Sequence, residues 1–90
     1  DSKKELRRYL YLEILFNKGE IKNLELHPVF PLMVNGVKIG RYTADFRYIT
    51  NKGDIIVEDV KSKITKTRDY MLRKKILSTY NPPIIITEIL

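Results

Sequence analysis

Asp45, Asp59 and Lys61 carry the strongest chemical signal in the sequence. Asp59 and Lys61 lie two apart, so a strand puts both on one face. Asp45 joins them through hairpin geometry. Asn51-Lys52-Gly53 suits a three-residue loop, a type I turn closed by a glycine in the left-handed conformation. That loop opposes Thr50 to Asp54, and counting outward opposes Arg47 to Val57, Asp45 to Asp59 and Thr43 to Lys61. A two-residue Lys-Gly turn would slide the register by one and destroy the match, but Asn-Gly or Asp-Gly is the pair that two-residue hairpin turns favour. Carboxylates set opposite each other repel, and burial worsens the cost, so positive charge must sit between them. Lys61 supplies one charge, and a divalent cation would supply more. Mg²⁺ is held by one or two carboxylates while keeping waters and taking phosphate oxygens. It lowers the pKa of a bound water and polarises a phosphoryl oxygen, and a nearby lysine offsets transition-state charge. The pattern therefore fits phosphodiester hydrolysis. On its own it fits equally a structural cluster in which Lys61 bridges both aspartates.

The elements that must position these residues read α-β-β-β-α-β. Ser2-x-x-Glu5 matches a capping box, and the helix it opens runs to about Asn17 before Gly19 ends it. Glu5, Tyr9, Leu12 and Phe16 form its buried stripe, widened by Leu6, Leu10 and Ile14. Leu24–Val34 is the first strand, with Pro28 and Pro31 marking an irregular or edge position. Asn35-Gly36 is a two-residue type I′ turn into the second strand, Val37–Thr50, and Ile55–Ser62 is the third. Thr65–Tyr80 is the second helix, with Ile64, Met71, Leu72, Ile76 and Leu77 as core contacts. Asn81-Pro82-Pro83 ends it, and Ile84–Leu90 reads as a buried last strand. The expected fold class is α/β (α+β), a mixed four-stranded sheet flanked by two helices.

Ninety residues make a single domain, 1–90, with a thin core. The absence of cysteine excludes a disulfide framework and a Cys-based zinc site, and agrees with the reducing cytoplasm expected here. A hydrophobic fraction of 43% with 31% charged residues is globular composition. No apolar run is long enough to span a membrane, and no signal peptide opens the chain. There is no Gly-rich phosphate loop and no Ser-His-Asp arrangement, so neither a nucleotide cofactor nor serine chemistry is expected.

Charge points to the partner. Residues 61–75 hold Lys61, Lys63, Lys66, Arg68, Arg73, Lys74 and Lys75 against Asp69 alone, which equals the whole net charge of +6. So localised a basic surface suits a polyanion, and a solvated lysine-rich face is the plainer reading. Arg73 and Lys75 in particular are expected to touch phosphates.

The order of elements, with Asp45 in the second strand and Asp59-Val60-Lys61 in the third, resembles the PD-(D/E)XK nuclease superfamily. The segments 1–9 (DSKKELRRY), 42–48 (YTADFRY) and 57–61 (VEDVK) look closer still to a family of small phage and prophage proteins, catalogued as a domain of unknown function and assigned to that superfamily. The match covers nearly the whole chain. It implies a restriction-endonuclease-like core in which Asp45 and Asp59 ligate Mg²⁺ or Mn²⁺, Lys61 assists the attacking water, and Glu5 is the first-helix acid. It departs at Ala44, where the motif name has proline, and at Ser62, where the small family usually has glycine.

The expected function is thus a metal-dependent DNA endonuclease, phage-encoded and acting on branched or duplex DNA in the host bacterial cytoplasm. A homodimer is expected, because so small a domain grips little DNA. The backbone contacts fall to Lys63, Lys66, Arg68, Arg73, Lys74 and Lys75. The competing readings are a non-catalytic nucleic-acid-binding module of the same fold and an interaction protein for an acidic partner. Six residues are given bland roles. The capping box alone accounts for Glu5, Glu58 serves structure or an ion pair, and His27, alone beside Pro28, reads as a loop or strand residue. Tyr42, Phe46 and Tyr48 are core beneath a helix, on the face away from Asp45.

Overall fold

The computed structural model describes residues 2–62 and 66–90, Ser2 by its backbone alone. The serine side of the capping box, the core role given to Ile64, the helix start at Thr65 and the phosphate role given to Lys63 therefore lie outside the described residues. Helix α1 is Ser2–Asn17, and α2 is Arg68–Ser78. The strands are β1 Ile21–Leu26, β2 Val29–Val34, β3 Val37–Thr43, β4 Phe46–Thr50, β5 Ile55–Val60 and β6 Ile86–Ile89. Strands β1-β4-β5-β6 form a mixed four-stranded sheet, and β2-β3 a separate two-stranded one. The fold is α+β.

The two turns behave as their residues dictate. Asn35 and Gly36 both have positive φ, 51° and 78°, and join Val34 to its partner Val37, as a type I′ turn requires. Gly53 takes φ 87° and donates its N–H to the Thr50 carbonyl at 2.9 Å. Three residues therefore separate Thr50 from Asp54, and β4 meets β5 in the expected register, Arg47 opposite Val57 and Phe46 opposite Glu58. A Cβ at Gly53 would meet nothing within 4 Å, so Gly53→Ala isolates the backbone cost of the conformation. Chemical denaturation of that variant should show a loss of about 1–2 kcal/mol.

Four strands were expected and the described residues form six, because two long ones break. Leu24–Val34 is interrupted at His27-Pro28 and Val37–Thr50 at Ala44-Asp45. The interruptions lie opposite each other. His27 N–H donates to the Asp45 carbonyl at 2.9 Å, and Ala44 N–H to the Pro28 carbonyl at 3.0 Å. A single long hairpin thus bends at one level, leaving its near half, β1-β4, in the main sheet and its far half as the β2-β3 ribbon. A bulge between Leu32 and Met33 sets the register of the ribbon. Thr43 consequently faces Val29, not Lys61.

The bend also divides the aromatic residues. Phe46 and Tyr48 pack with Leu12 and Ile21 beneath α1, as expected of core. Tyr42 lies beyond the break and packs with Tyr70, Leu77, Val57 and Ile86 beneath α2 instead. Of the apolar stripe expected on α1, Leu12 is fully buried and Tyr9 packs against its cluster. Leu6, Leu10, Ile14 and Phe16 are exposed, because one sheet face accepts only a narrow arc of the helix. Helix α2 starts at a Thr67 N-cap whose hydroxyl accepts from the Tyr70 N–H at 3.1 Å. It buries Tyr70 and Leu77, while Met71 and Leu72, expected inside, face solvent. The helix carries the chain across to β6, which lies parallel to β5. That last strand is an edge and is buried on only part of its length: Ile86 is inside, and Ile85 and Leu90 are exposed.

Candidate metal centre

The bent hairpin, the end of β5 and the first turn of α1 converge on Asp45. Asp45 stands just before β4, at the break. Its N–H donates to the Glu58 carbonyl at 3.1 Å and to Asp59 Oδ1 at 3.2 Å. Its own carboxylate turns back, and Oδ2 accepts the Val60 N–H at 2.7 Å. The two aspartates expected to face each other are therefore clasped reciprocally, each carboxylate on a backbone N–H beside the other residue.

One donor each does not satisfy them. Asp59 is 2% exposed, and its Oδ2 has no hydrogen-bond partner among the described residues. Burial pushes its carboxyl up to about 6, against the opposing pull of Lys61 and the Asp45 N–H, with Glu5 and Glu88 adding to the rise. Asp45 is also raised, by burial first and then by the Glu5 charge, while the Val60 N–H and Lys61 oppose the shift. A buried carboxylate with an unpaired oxygen costs stability unless a cation or proton reaches it.

Lys61 does not bridge the pair. Its ammonium sits over the Tyr70 ring, 4.4 Å from the centroid, and among the described residues no ion pair joins it to Asp45 or Asp59. It acts on both acids at longer range, as the directions of their shifts record. The backbone N–H of Lys61 is fixed to the Ile89 carbonyl at 2.9 Å.

Glu5 reaches the same centre from α1, and so does His27. One ligand-type atom from each of Glu5, His27 and Asp45 lies within 4.8 Å of the other two. His27 Nε2 is 3.2 Å from Glu5 Oε2. Treating His27 as a loop residue misses this. The available signal is the count outward from Asn35-Gly36: with one bulge allowed, His27 falls level with Asp45. Glu5, His27 and Asp45 offer two carboxylates and one imidazole that fit a divalent cation, and Asp59, bonded to the Asp45 N–H, adds a buried carboxylate to the same neighbourhood. Glu5, Asp45 and Asp59 are the residues that would hold it.

Glu58 takes the structural role expected of it. It is 1% exposed and receives both Arg8 Nε, at 2.8 Å, and Arg8 Nη2, at 2.6 Å, together with the Tyr48 hydroxyl. The Tyr48 hydroxyl is raised by burial and by that carboxylate.

The basic helix is partly neutralised from within. Glu88, opposite Asp59 on β6, pairs with Lys66 at 3.0 Å and Lys74 at 3.2 Å and accepts the Tyr70 hydroxyl at 2.8 Å. Hydrogen bonds from Lys66, Tyr70 and Lys74 bring its carboxyl down to about 2. Arg73 pairs with Asp69 and donates to the Arg41 carbonyl. Arg68 and Lys75 are exposed.

With this geometry in hand, comparison with known proteins adds one relationship. The family model described as "Protein of unknown function (DUF1064)" matches residues 1–88. The chain belongs to the DUF1064 family. No curated protein and no solved structure matches it. The matched span includes every DUF1064 residue placed at the centre: Glu5, His27, Asp45, Asp59 and Lys61. None of the described helices is long and apolar enough to cross a membrane.

Proposed function

We propose that this DUF1064 protein is a metal-dependent DNA endonuclease whose centre is Glu5, Asp45 and Asp59, with Lys61 beside it. The observation that carries the reading is the Asp59 carboxylate: buried, clasped to Asp45, and holding an oxygen that no donor among the described residues reaches. Structural aspartates at so high a cost are uncommon, and strongly perturbed carboxylates gather at functional sites. The resemblance of the element order, with Asp45 in one strand and Asp59-Val60-Lys61 in the next, to PD-(D/E)XK nucleases supports the same residues in the same order.

A bound Mg²⁺ or Mn²⁺ supplies Lewis-acid polarisation of the phosphoryl oxygen and a more acidic water. The chain's own groups do the rest. The Asp45 and Asp59 backbone bonds hold the two carboxylates in fixed orientation, so little reorganisation is required as charge develops. Lys61 leaves its resting place on Tyr70 by a side-chain rotation, bringing an ammonium to the attacking water or a non-bridging oxygen. Arg68 and Lys75 on α2 take backbone phosphates. The homodimer belongs to this proposal, with the exposed Leu6, Leu10 and Ile14 stripe suited to a second copy. A single-chain mass by sedimentation equilibrium removes that part.

Cleavage of supercoiled plasmid and four-way junction DNA tests the reading. Cutting with Mg²⁺ or Mn²⁺ that stops with chelator is expected. Salt-sensitive DNA binding without cutting under either ion would replace it with the non-catalytic binding module, and no nucleic-acid binding at low salt would favour an acidic protein partner.

Glu88 restrains the phosphate surface in this reading. Glu88→Gln frees Lys66 and Lys74, so DNA affinity at low salt should rise. The log–log salt slope should steepen by up to about 1.8, roughly 0.9 for each added phosphate contact. Fluorescence anisotropy across a salt series measures it, and an unchanged slope contradicts the restraint.

A further inference from the structure

We infer that the His27 imidazole is a nitrogen ligand of the cation centre, giving that centre a preference for ions that bind imidazole over Mg²⁺. The inference rests on the reading above and adds a residue and a selectivity to it.

Three observations converge on His27. One of its ring nitrogens and a carboxylate oxygen from each of Glu5 and Asp45 lie within 4.8 Å of one another. Ligands around a small divalent ion with bonds of about 2.1 Å lie about 3 Å apart when adjacent and about 4.2 Å apart when opposite. The three atoms need only small inward rotations to reach that range. Asp59, whose Oδ1 accepts the Asp45 N–H, holds a buried Oδ2 that has no partner among the described residues. The third observation is the anchoring of the residue. The His27 N–H is bonded to the Asp45 carbonyl, so the backbone that carries the imidazole is tied to the backbone that carries a carboxylate ligand. His27 holds φ 53°, in the left-handed region that asparagine, aspartate and histidine adopt more readily than other non-glycine residues. Its side chain is 59% exposed, so burial does not explain the choice of histidine.

The chemistry sets the selectivity. Mg²⁺ takes oxygen ligands and dehydrates reluctantly, whereas an imidazole nitrogen adds affinity for later first-row ions in the order Mn²⁺ < Fe²⁺ < Co²⁺ < Ni²⁺. Replacing one water by the His27 nitrogen therefore strengthens Co²⁺ binding far more than Mg²⁺ binding. The histidine also orients Glu5 through the Nε2–Oε2 contact before a cation arrives.

The sequence has one histidine, so any imidazole nitrogen detected on a metal held by the untagged protein is that of His27. Pulsed EPR of the Mn²⁺-loaded chain should show nitrogen coupling, and calorimetry should show Co²⁺ binding more tightly than Mg²⁺. His27→Asn keeps a residue that tolerates positive φ while removing the ring nitrogen. It should abolish the coupling and weaken Co²⁺ at least about tenfold, with Mg²⁺ changed less than about threefold. Absence of nitrogen coupling in the unmutated protein overturns the inference, whether or not the variant folds. If Co²⁺ and Mg²⁺ bind and Asp45→Asn abolishes both while His27→Asn changes neither, the imidazole is not a ligand and the nuclease reading stands. If none of Mg²⁺, Mn²⁺ and Co²⁺ binds the unmutated chain, both fall together.

Discussion

Asp59→Asn should lower metal-dependent DNA cleavage by at least about a hundredfold while leaving the fold no less stable at pH 8. The two halves of this expectation share a cause. The amide oxygen can still accept the Asp45 N–H, so the clasp between the strands survives. What disappears is the charge, and with it the anionic oxygen that would face a cation. In the metal-free protein the Asp59 carboxyl is pushed up to about 6, above the ordinary value near 4. A group raised on folding contributes stability that is full below its unfolded pKa and is lost as pH rises through its folded pKa. Thermal melting of the metal-free protein should therefore show stability falling between about pH 4 and pH 6, and that step should shrink in Asp59→Asn to the part that the raised Asp45 carboxyl contributes. Glu88 titrates outside this window, because its carboxyl is drawn down to about 2. Divalent cation at pH 8 should raise the melting temperature of the unmutated protein and not of the variant. Retained cleavage in Asp59→Asn removes the residue from the centre.

Arg8→Ala should be the most damaging single change to the fold. Glu58 is 1% exposed, and among the described residues Arg8 supplies its only countercharge, through two bonds of 2.8 and 2.6 Å. Removing that partner leaves a buried carboxylate with the Tyr48 hydroxyl alone. Breaking such a pair costs about 3–5 kcal/mol. For a chain of this size the melting temperature should fall by more than about 12 °C. The pair itself adds little beyond a hydrophobic substitute, so Arg8→Met combined with Glu58→Leu and Tyr48→Phe should come within about 2 kcal/mol of the unmutated protein. Urea unfolding of both variants checks the contrast. A loss below about 1 kcal/mol in Arg8→Ala would show that the pair is screened by solvent.

The parts of this molecule legible in its sequence are those set by local turn chemistry. Asn35-Gly36 and Gly53 demand particular backbone angles: the first turn joins β2 to β3, and the Gly53 loop fixes the β4–β5 register that sets Asp45 beside Asp59. The bend at His27-Pro28 and Ala44-Asp45 was not legible as a break in both strands. Pro28 marked irregularity on one side, but the matching break at Ala44-Asp45 arises only once the ribbon leaves the sheet. That same bend carries His27 to the centre and Tyr42 to the other side of the sheet. Helix α1 misled for another reason. Leu6, Tyr9, Leu10, Tyr11, Leu12, Ile14, Leu15 and Phe16 make it apolar nearly all round, so periodicity could not choose the arc that the sheet would cover. The neutralisation of Lys66 and Lys74 depends on Glu88, a residue on a strand that pairs only after α2 has crossed back.

Anomalous diffraction from crystals soaked in Mn²⁺ tests the central claim most directly. The account predicts a peak about 2.1–2.3 Å from a carboxylate oxygen of Asp45, within reach of Glu5 and the Asp59 Oδ2. No peak at saturating Mn²⁺, with the Lys61 ammonium swung between the two aspartates, would contradict it and make the cluster structural.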